Sequence, residues 1–158
     1  MIGAQAAPGA LERVRELLNT WLIPNDTRKP TDRLPAGTPF AVRALRDDLR
    51  SVVARRADAD EVFNEWIARL DVTPAVVDGA VRFTGRREAG SYLAIVLGAI
   101  ASGEWARLKA CPDCQWVFYD HTRNASKRWC LMNAAGPDGR SCGSIAKVKR
   151  HRARALPS

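Results

Sequence analysis

The sequence predicts an α+β, mainly helical chain: an N-terminal helical body with a short β-hairpin, joined to a small C-terminal four-cysteine module that ends in a basic helix. Three observations predict it. Apolar residues recur at helical spacing through most of residues 1–104, interrupted once by an alternating stretch around Asp78-Gly79. All four cysteines fall within residues 111–142. The net charge of +8 lies entirely in residues 105–158, because Lys and Arg balance Asp and Glu over residues 1–104. A chain of 158 residues, 46% of them hydrophobic, has enough apolar material for one core and a small appendage, which excludes wholesale disorder.

The first helix is expected from Pro8 to about Trp21, with Leu11, Val14, Leu18 and Trp21 on one face. Residues 24–37 are rich in Pro, Asp, Thr and Arg and read as an ordered connector. Thr38-Pro39 starts a second helix whose apolar face is Val42, Leu45, Leu49, Val52 and Val53. Asp58 and Glu61 have capping-box spacing for a third helix burying Val62, Phe63, Trp66, Ile67 and Leu70. Val76-Val77 and Val81 to Phe83 flank Asp78-Gly79 as two short strands around a tight turn. From Arg86 to about Ser102 a fourth helix carries apolar residues around most of its circumference, which places it at the centre of the core. Near Glu104 the texture changes, and a boundary there divides residues 1–104 from residues 105–158.

Cys111 and Cys114 form a C-x2-C pair; fifteen residues then precede Cys130, and eleven more precede Cys142. A C-x2-C turn offers two thiolates to one ion, and zinc takes four such ligands as a tetrahedron. The pattern therefore predicts one zinc ion per chain held by Cys111, Cys114, Cys130 and Cys142. Residues 133–140 would bulge away from the site and return. His121 is the substitute ligand should Cys142 not take part. A thiol–disulfide redox pair and four unrelated buried thiols are the alternatives, and disulfides need an oxidising compartment that nothing in the sequence suggests. Val117 and Tyr119 alternate with Trp116 and Phe118 as a short strand.

Basic residues crowd around this site. Thr122 is expected to cap a short helix through Arg123, Lys127 and Arg128 to Cys130. A second helix, Ile145 to about Ala155, carries Lys147, Arg150, His151 and Arg154 on one face, with Lys149 and Arg152 opposite. No acid occurs between Gly139 and Ser158. A single-signed run beside a metal site points to a polyanion, so Arg123, Lys127, Arg128, Lys147, Lys149, Arg150, Arg152 and Arg154 are the candidate nucleic-acid contacts.

The stretch Cys111-x2-Cys114-Gln115-Trp116-Val117-Phe118-Tyr119-Asp120, the run Thr122-Arg123-Asn124-x-Ser126-Lys127-Arg128-Trp129-Cys130, and the tail Ala146 to Arg154 together resemble the CGNR zinc-finger family. That resemblance, covering about Ala110 to Ala155, implies a zinc-binding, DNA-binding C-terminal module. Such modules are usually joined to an α-β domain called ABATE, from stress-induced transcription regulators. Leu18-Asn19-Thr20 and Arg43-Ala44-Leu45-Arg46 are similar to segments of that domain, which makes Asn19 and Arg46 candidates for a ligand or packing site. Two departures stand out. The family signature Cys-Gly-Asn-Arg reads Cys142-Gly143-Ser144-Ile145 here, and the spacing before that cysteine is longer.

These features lead to an expected zinc-dependent, double-stranded-DNA-binding transcription regulator of bacterial type. Its body would sense a small-molecule effector or form a homodimer. An RNA-binding module and a zinc-stabilised adaptor are the alternatives. No enzymatic activity is expected, since four thiolates close the coordination sphere and no serine–histidine–acid arrangement accompanies the two histidines. The absence of a secretory leader and of any membrane-length apolar run predicts a cytoplasmic protein without a membrane partner, associated with the nucleoid when bound.

Overall fold

The computed structural model describes residues 5–24, 26–130 and 142–155. Helix α1, Leu11–Leu18, buries Leu11, Val14, Leu17 and Leu18 on the face that its spacing marks out. It stops a turn earlier than expected. Thr20 returns its hydroxyl to the Leu17 carbonyl, at 2.7 Å. Trp21 belongs instead to strand β1, Trp21–Leu22, paired antiparallel with β2, Thr31–Asp32, from within the predicted connector. The indole gains the Arg50 guanidinium 4.5 Å from its ring centroid. Tertiary partners outweigh local periodicity here.

Helix α2, Phe40–Val53, follows Pro39, whose extended backbone precedes the first turn, and no side chain caps it. Val42, Leu45, Leu49 and Val52 are buried along it, and so is Arg46. Helix α3, Ala59–Arg69, starts as the capping spacing predicts, with Asp58 Oδ1 accepting from the Glu61 amide at 3.0 Å. Phe63 and Trp66 are buried, but Ile67 is 42% exposed. Only one side of α3 meets the body, and Trp66 Nε1 fastens that side by donating to Asp48 at 2.9 Å.

Strands β3, Val72–Val77, and β4, Ala80–Gly85, form the expected hairpin, in register from Val77↔Ala80 to Val72↔Gly85. Asp78 and Gly79 both take positive φ, +51° and +76°, the combination that a two-residue hairpin turn requires and that Asp-Gly supplies at low cost. Helix α4, Arg87–Ser102, then packs across α1, α2 and β4, burying Ala89, Leu93, Val96 and Ala99. The approach of β4 to α4 is close enough to demand glycine. A Cβ on Gly85 would lie 1.9 Å from the Gly90 carbonyl oxygen, which is backbone and cannot step aside. Gly85→Ala is therefore expected to destabilise the protein by about 1–3 kcal/mol through forced separation of hairpin and helix. Urea unfolding of the variant checks this, and an unchanged midpoint refutes it.

After Gly103, left-handed at φ +79°, a 3₁₀ turn at Trp105–Arg107 leads to β5, Leu108–Ala110, paired with β6, Val117–Tyr119. Helix α5, Cys142–Ala155, completes the described chain. The core runs across the boundary expected near Glu104. Leu108, Val117 and Tyr119 pack in the same cluster as Leu18, Leu45, Leu49 and Leu93. No helix among the described residues is long and apolar enough to cross a membrane.

Candidate metal centre and basic helix

Cys111 and Cys114 lie at the turn between β5 and β6. The turn is closed by the Cys111 amide donating to the Trp116 carbonyl and the Gln115 amide donating to the Cys111 carbonyl, both at 2.9 Å. Gln115 takes φ +59° to make the reversal. Cys130 ends the irregular segment that follows β6, and Cys142 is the first residue of α5. All four thiols are buried, and their sulfurs lie within 4.8 Å of one another. Cys114 and Cys130 Sγ are 3.3 Å apart, and Cys130 and Cys142 Sγ are 3.8 Å apart. A tetrahedron with zinc–sulfur bonds of about 2.3 Å has edges of roughly 3.8 Å, so the donor set fits one zinc ion. None of the four is in a disulfide. Around them Phe118 is buried, with Trp116 and Trp129 packed alongside, forming a second, smaller core.

The burial of the cluster argues the same way. Four adjacent thiols in a dry site cannot all ionise without a cation, and a divalent ion removes that conflict. Four thiolates leave no open position, which makes the centre structural.

His121 stands apart from this group. Its Nε2 lies 2.7 Å from the Ala6 carbonyl and its ring packs on Tyr119, so the substitute-ligand role falls away with Cys142 in place. The expected bulge at residues 133–140 lies outside the described residues.

The segment after β6 is not the helix expected from Thr122 to Cys130. It is a series of turns wrapped around Asp120, which is fully buried. That carboxylate accepts from Lys109 Nζ at 2.7 Å, the Thr122 amide at 2.9 Å, the Thr122 hydroxyl at 2.6 Å and the Lys127 amide at 2.8 Å. Burial alone would raise its pKa. These donors outweigh it and hold the carboxyl well below the usual range. Lys109 also donates to the Ala125 and Lys127 carbonyls. Amides and carbonyls claimed by one ion pair are withheld from a helical ladder, and Ala125, within this wrap, takes φ +47°.

The eight basic candidates are distributed over two segments that both spring from the thiol cluster. Arg123 and Arg128 are exposed, and Arg128 lies over the Trp129 ring at 5.6 Å. Lys127 is half-buried, with Nζ 5.4 Å from the Phe118 ring. On α5 every one of Lys147, Lys149, Arg150, Arg152 and Arg154 is exposed, as is His151, and Cys142 is the only buried residue. Gly143 lets α5 start hard against Trp129: a Cβ there would sit 3.2 Å from the indole. The glycine of the Cys142-Gly143 pair thus has a packing role that survives the change to Ser144-Ile145.

Asn19 and Arg46 are both buried, and neither belongs to the thiol cluster. Asn19 Nδ2 donates to the Val117 carbonyl and Oδ1 accepts from the Val117 amide, both at 2.8 Å. Arg46 donates to Asp32 at 2.7 and 2.9 Å and to the Thr20 hydroxyl at 3.0 Å. The Arg46 hydrogen bonds are the main reason that the Asp32 carboxyl lies well below its ordinary range. Two further arginines escaped sequence reasoning. Arg15 is buried and reaches the Val117 carbonyl at 3.2 Å. Arg50 donates to the Leu18 carbonyl and, at 3.1 Å, to the Gln115 carbonyl in the thiol-bearing turn. Burial, with Arg46 nearby, pulls Arg50 down to about 10. The available signal was the i, i+4 spacing of Arg46 and Arg50 on a helix whose neighbouring positions are apolar.

No curated protein matches the chain. Residues 107–155 match the family model described as CGNR zinc finger. With its four thiols gathered at one buried point and a basic helix rising from the last of them, the C-terminal part of this chain is similar to the CGNR zinc finger over those residues.

Proposed function

We propose that the chain is a zinc-dependent DNA-binding regulator that meets duplex DNA through α5 and the neighbouring Arg123 to Arg128 segment. One observation carries this reading. Helix α5 presents five Lys and Arg side chains to solvent with no acid among them, and its first residue is held in the thiol cluster. A helix with almost no apolar face has little reason to form alone, and anchoring its first turn offsets the cost of nucleation. What results is a rigid cationic rod of about 20 Å, a length suited to the major groove.

The RNA reading asks for exposed aromatics on which bases stack. Tyr119 is buried and Trp116 is half-buried against the thiols, with Arg15 6.0 Å from its ring, so duplex DNA is the better-supported partner. The closed thiolate set supports a non-enzymatic role. The resemblance of Asn19-Thr20 and Arg46 to the ABATE domain supports a regulator of bacterial stress responses whose body senses an effector or dimerises, acting in the cytoplasm at the nucleoid.

The test is equilibrium binding of the zinc-loaded chain to duplex DNA over a range of salt. Eight phosphate contacts give a slope of log K against log salt near −7. Replacing Lys147, Arg150 and Arg154 together by Gln is expected to make that slope shallower by roughly 3 and to weaken binding at every sequence. Unchanged affinity and slope in the triple variant would place the contact surface elsewhere.

A further inference from the structure

Between the end of α2 and the finger lies a cleft of about 780 Å³, within the range of small-molecule sites. Val52, Val53 and Leu108 give it an apolar floor, and Trp105 stands at its side. The remaining lining is strongly one-signed. Arg55 and Arg56 enter from the body, Lys127 and Arg128 from the finger, and among the described residues no Asp or Glu lines it. Lys109 also borders the cleft, but Asp120 neutralises it at 2.7 Å. Arg55, Arg56, Lys127 and Arg128 form no ion pair among the described residues.

Four cations around one hollow, none with a carboxylate partner among the described residues, repel one another, and a bound anion reverses the sign of that energy. The backbone supports the cluster actively. Arg55 takes φ +57°, and the Arg55 and Arg56 amides donate to the Val52 and Ser51 carbonyls at 2.9 and 2.8 Å, ending α2 at the cleft. A helix C-terminus carries its own negative partial charge, which favours two arginines there.

We propose that this cleft binds a small amphiphilic anion: an apolar or aromatic body against Trp105, Val52 and Leu108, with a carboxylate, sulfonate or phosphate held by Arg55, Arg56 and Arg128. A nucleic-acid backbone would use the cations but has no use for an aliphatic floor, which is why a compact organic anion is the better occupant. Because its cations come from two segments, the end of α2 and residues 127–128, an occupied cleft ties those segments together. The latter runs directly into Cys130. The cleft thereby supplies a site and a ligand class for the effector of the regulator reading, and depends on that reading only for its regulatory consequence.

The test uses the full zinc-loaded chain without DNA, so the DNA-binding reading can fail without touching it. The probe is 2-naphthoate, followed by calorimetry and by the indole N–H resonances of the tryptophans, with Trp105 assigned from a Trp105→Phe variant. Expected are one site per chain and a saturable shift of the Trp105 signal. Neutral 2-naphthamide, and inorganic phosphate alone, should each bind at least roughly tenfold more weakly, as charge and apolar contact are both required. The Arg55→Gln/Arg56→Gln double variant should lose a similar factor, while Arg82→Gln on the distant hairpin should not. Absence of saturable binding, equal binding of the amide, or an unaffected double variant would each overturn the proposal. So would an octamer of deoxythymidylate that binds more tightly than naphthoate and loses its affinity in the same double variant, since the cleft would then be a nucleic-acid channel.

Discussion

Cys130→Ser is expected to reduce bound zinc from one ion per chain to background and to unravel the chain from Cys111 onward. Cys130 Sγ lies 3.3 Å from Cys114 Sγ and 3.8 Å from Cys142 Sγ, so losing it leaves three of the four ligands and an open vertex. Among the described residues the second core has little else to hold it: the thiols, Phe118 and two partly buried tryptophans. Structural zinc in such a module contributes an apparent ~10–16 kcal/mol at neutral pH, far more than a few aromatic contacts supply. Helix α5 loses its buried anchor in the same event, because Cys142 is the only residue it buries. Metal analysis under reducing conditions, far-ultraviolet circular dichroism and limited proteolysis read the three consequences. A variant that keeps α5 helical and residues 111–130 protected while binding no metal would remove the basis for treating the ion as the scaffold.

The effect should not stop at the finger. Leu108, Val117 and Tyr119 are shared with the body, so metal loss exposes apolar surface in the larger core as well. A finger on a linker would leave the body's unfolding midpoint untouched. Here the midpoint is expected to fall with the zinc. The boundary that composition suggests near Glu104 marks a change of chemistry, while packing continues across it.

That contrast shows what the residues alone reveal. The thiol spacing was legible because few chemistries use four cysteines in one short window, and the ligands lie where the spacing puts them. The helices follow from apolar periodicity, and the hairpin from Asp78-Gly79, whose positive φ values few other pairs adopt. What stayed hidden depends on partners remote in sequence. Nothing near Trp21 announces that Arg50 will draw it into a strand. Asp120 reads as one acid among bases, yet its burial turns a plausible helix into a wrapped loop. The cleft was hidden for the same reason, since it needs the end of α2 and the Lys127-Arg128 segment brought to line one hollow.

Asn19 is the sharpest case, and replacing it by alanine is expected to cost about 2–3 kcal/mol. Its carboxamide meets the Val117 amide and carbonyl as a neighbouring strand would, donating at 2.8 Å and accepting at 2.8 Å, with both residues buried. Alanine leaves the Val117 N–H without a partner in a site closed to water, while the carbonyl keeps Arg15 at 3.2 Å. An unpaired buried donor is more costly than the net gain from a typical hydrogen bond, which sets the magnitude. For a chain of this size the melting temperature should fall by roughly 5–10 °C. Zinc should also leave faster to a competing chelator, since Val117 follows Trp116, whose carbonyl closes the Cys111 turn. Asn19→Asp keeps an acceptor for the amide but sets a carboxylate against the Val117 carbonyl, and is expected to be no better than alanine. Had Asn19 been held in reserve for a ligand, alanine would leave both the melting temperature and the zinc release rate unchanged. Thermal unfolding and chelator kinetics on the same samples decide between fastening the finger and waiting for a ligand.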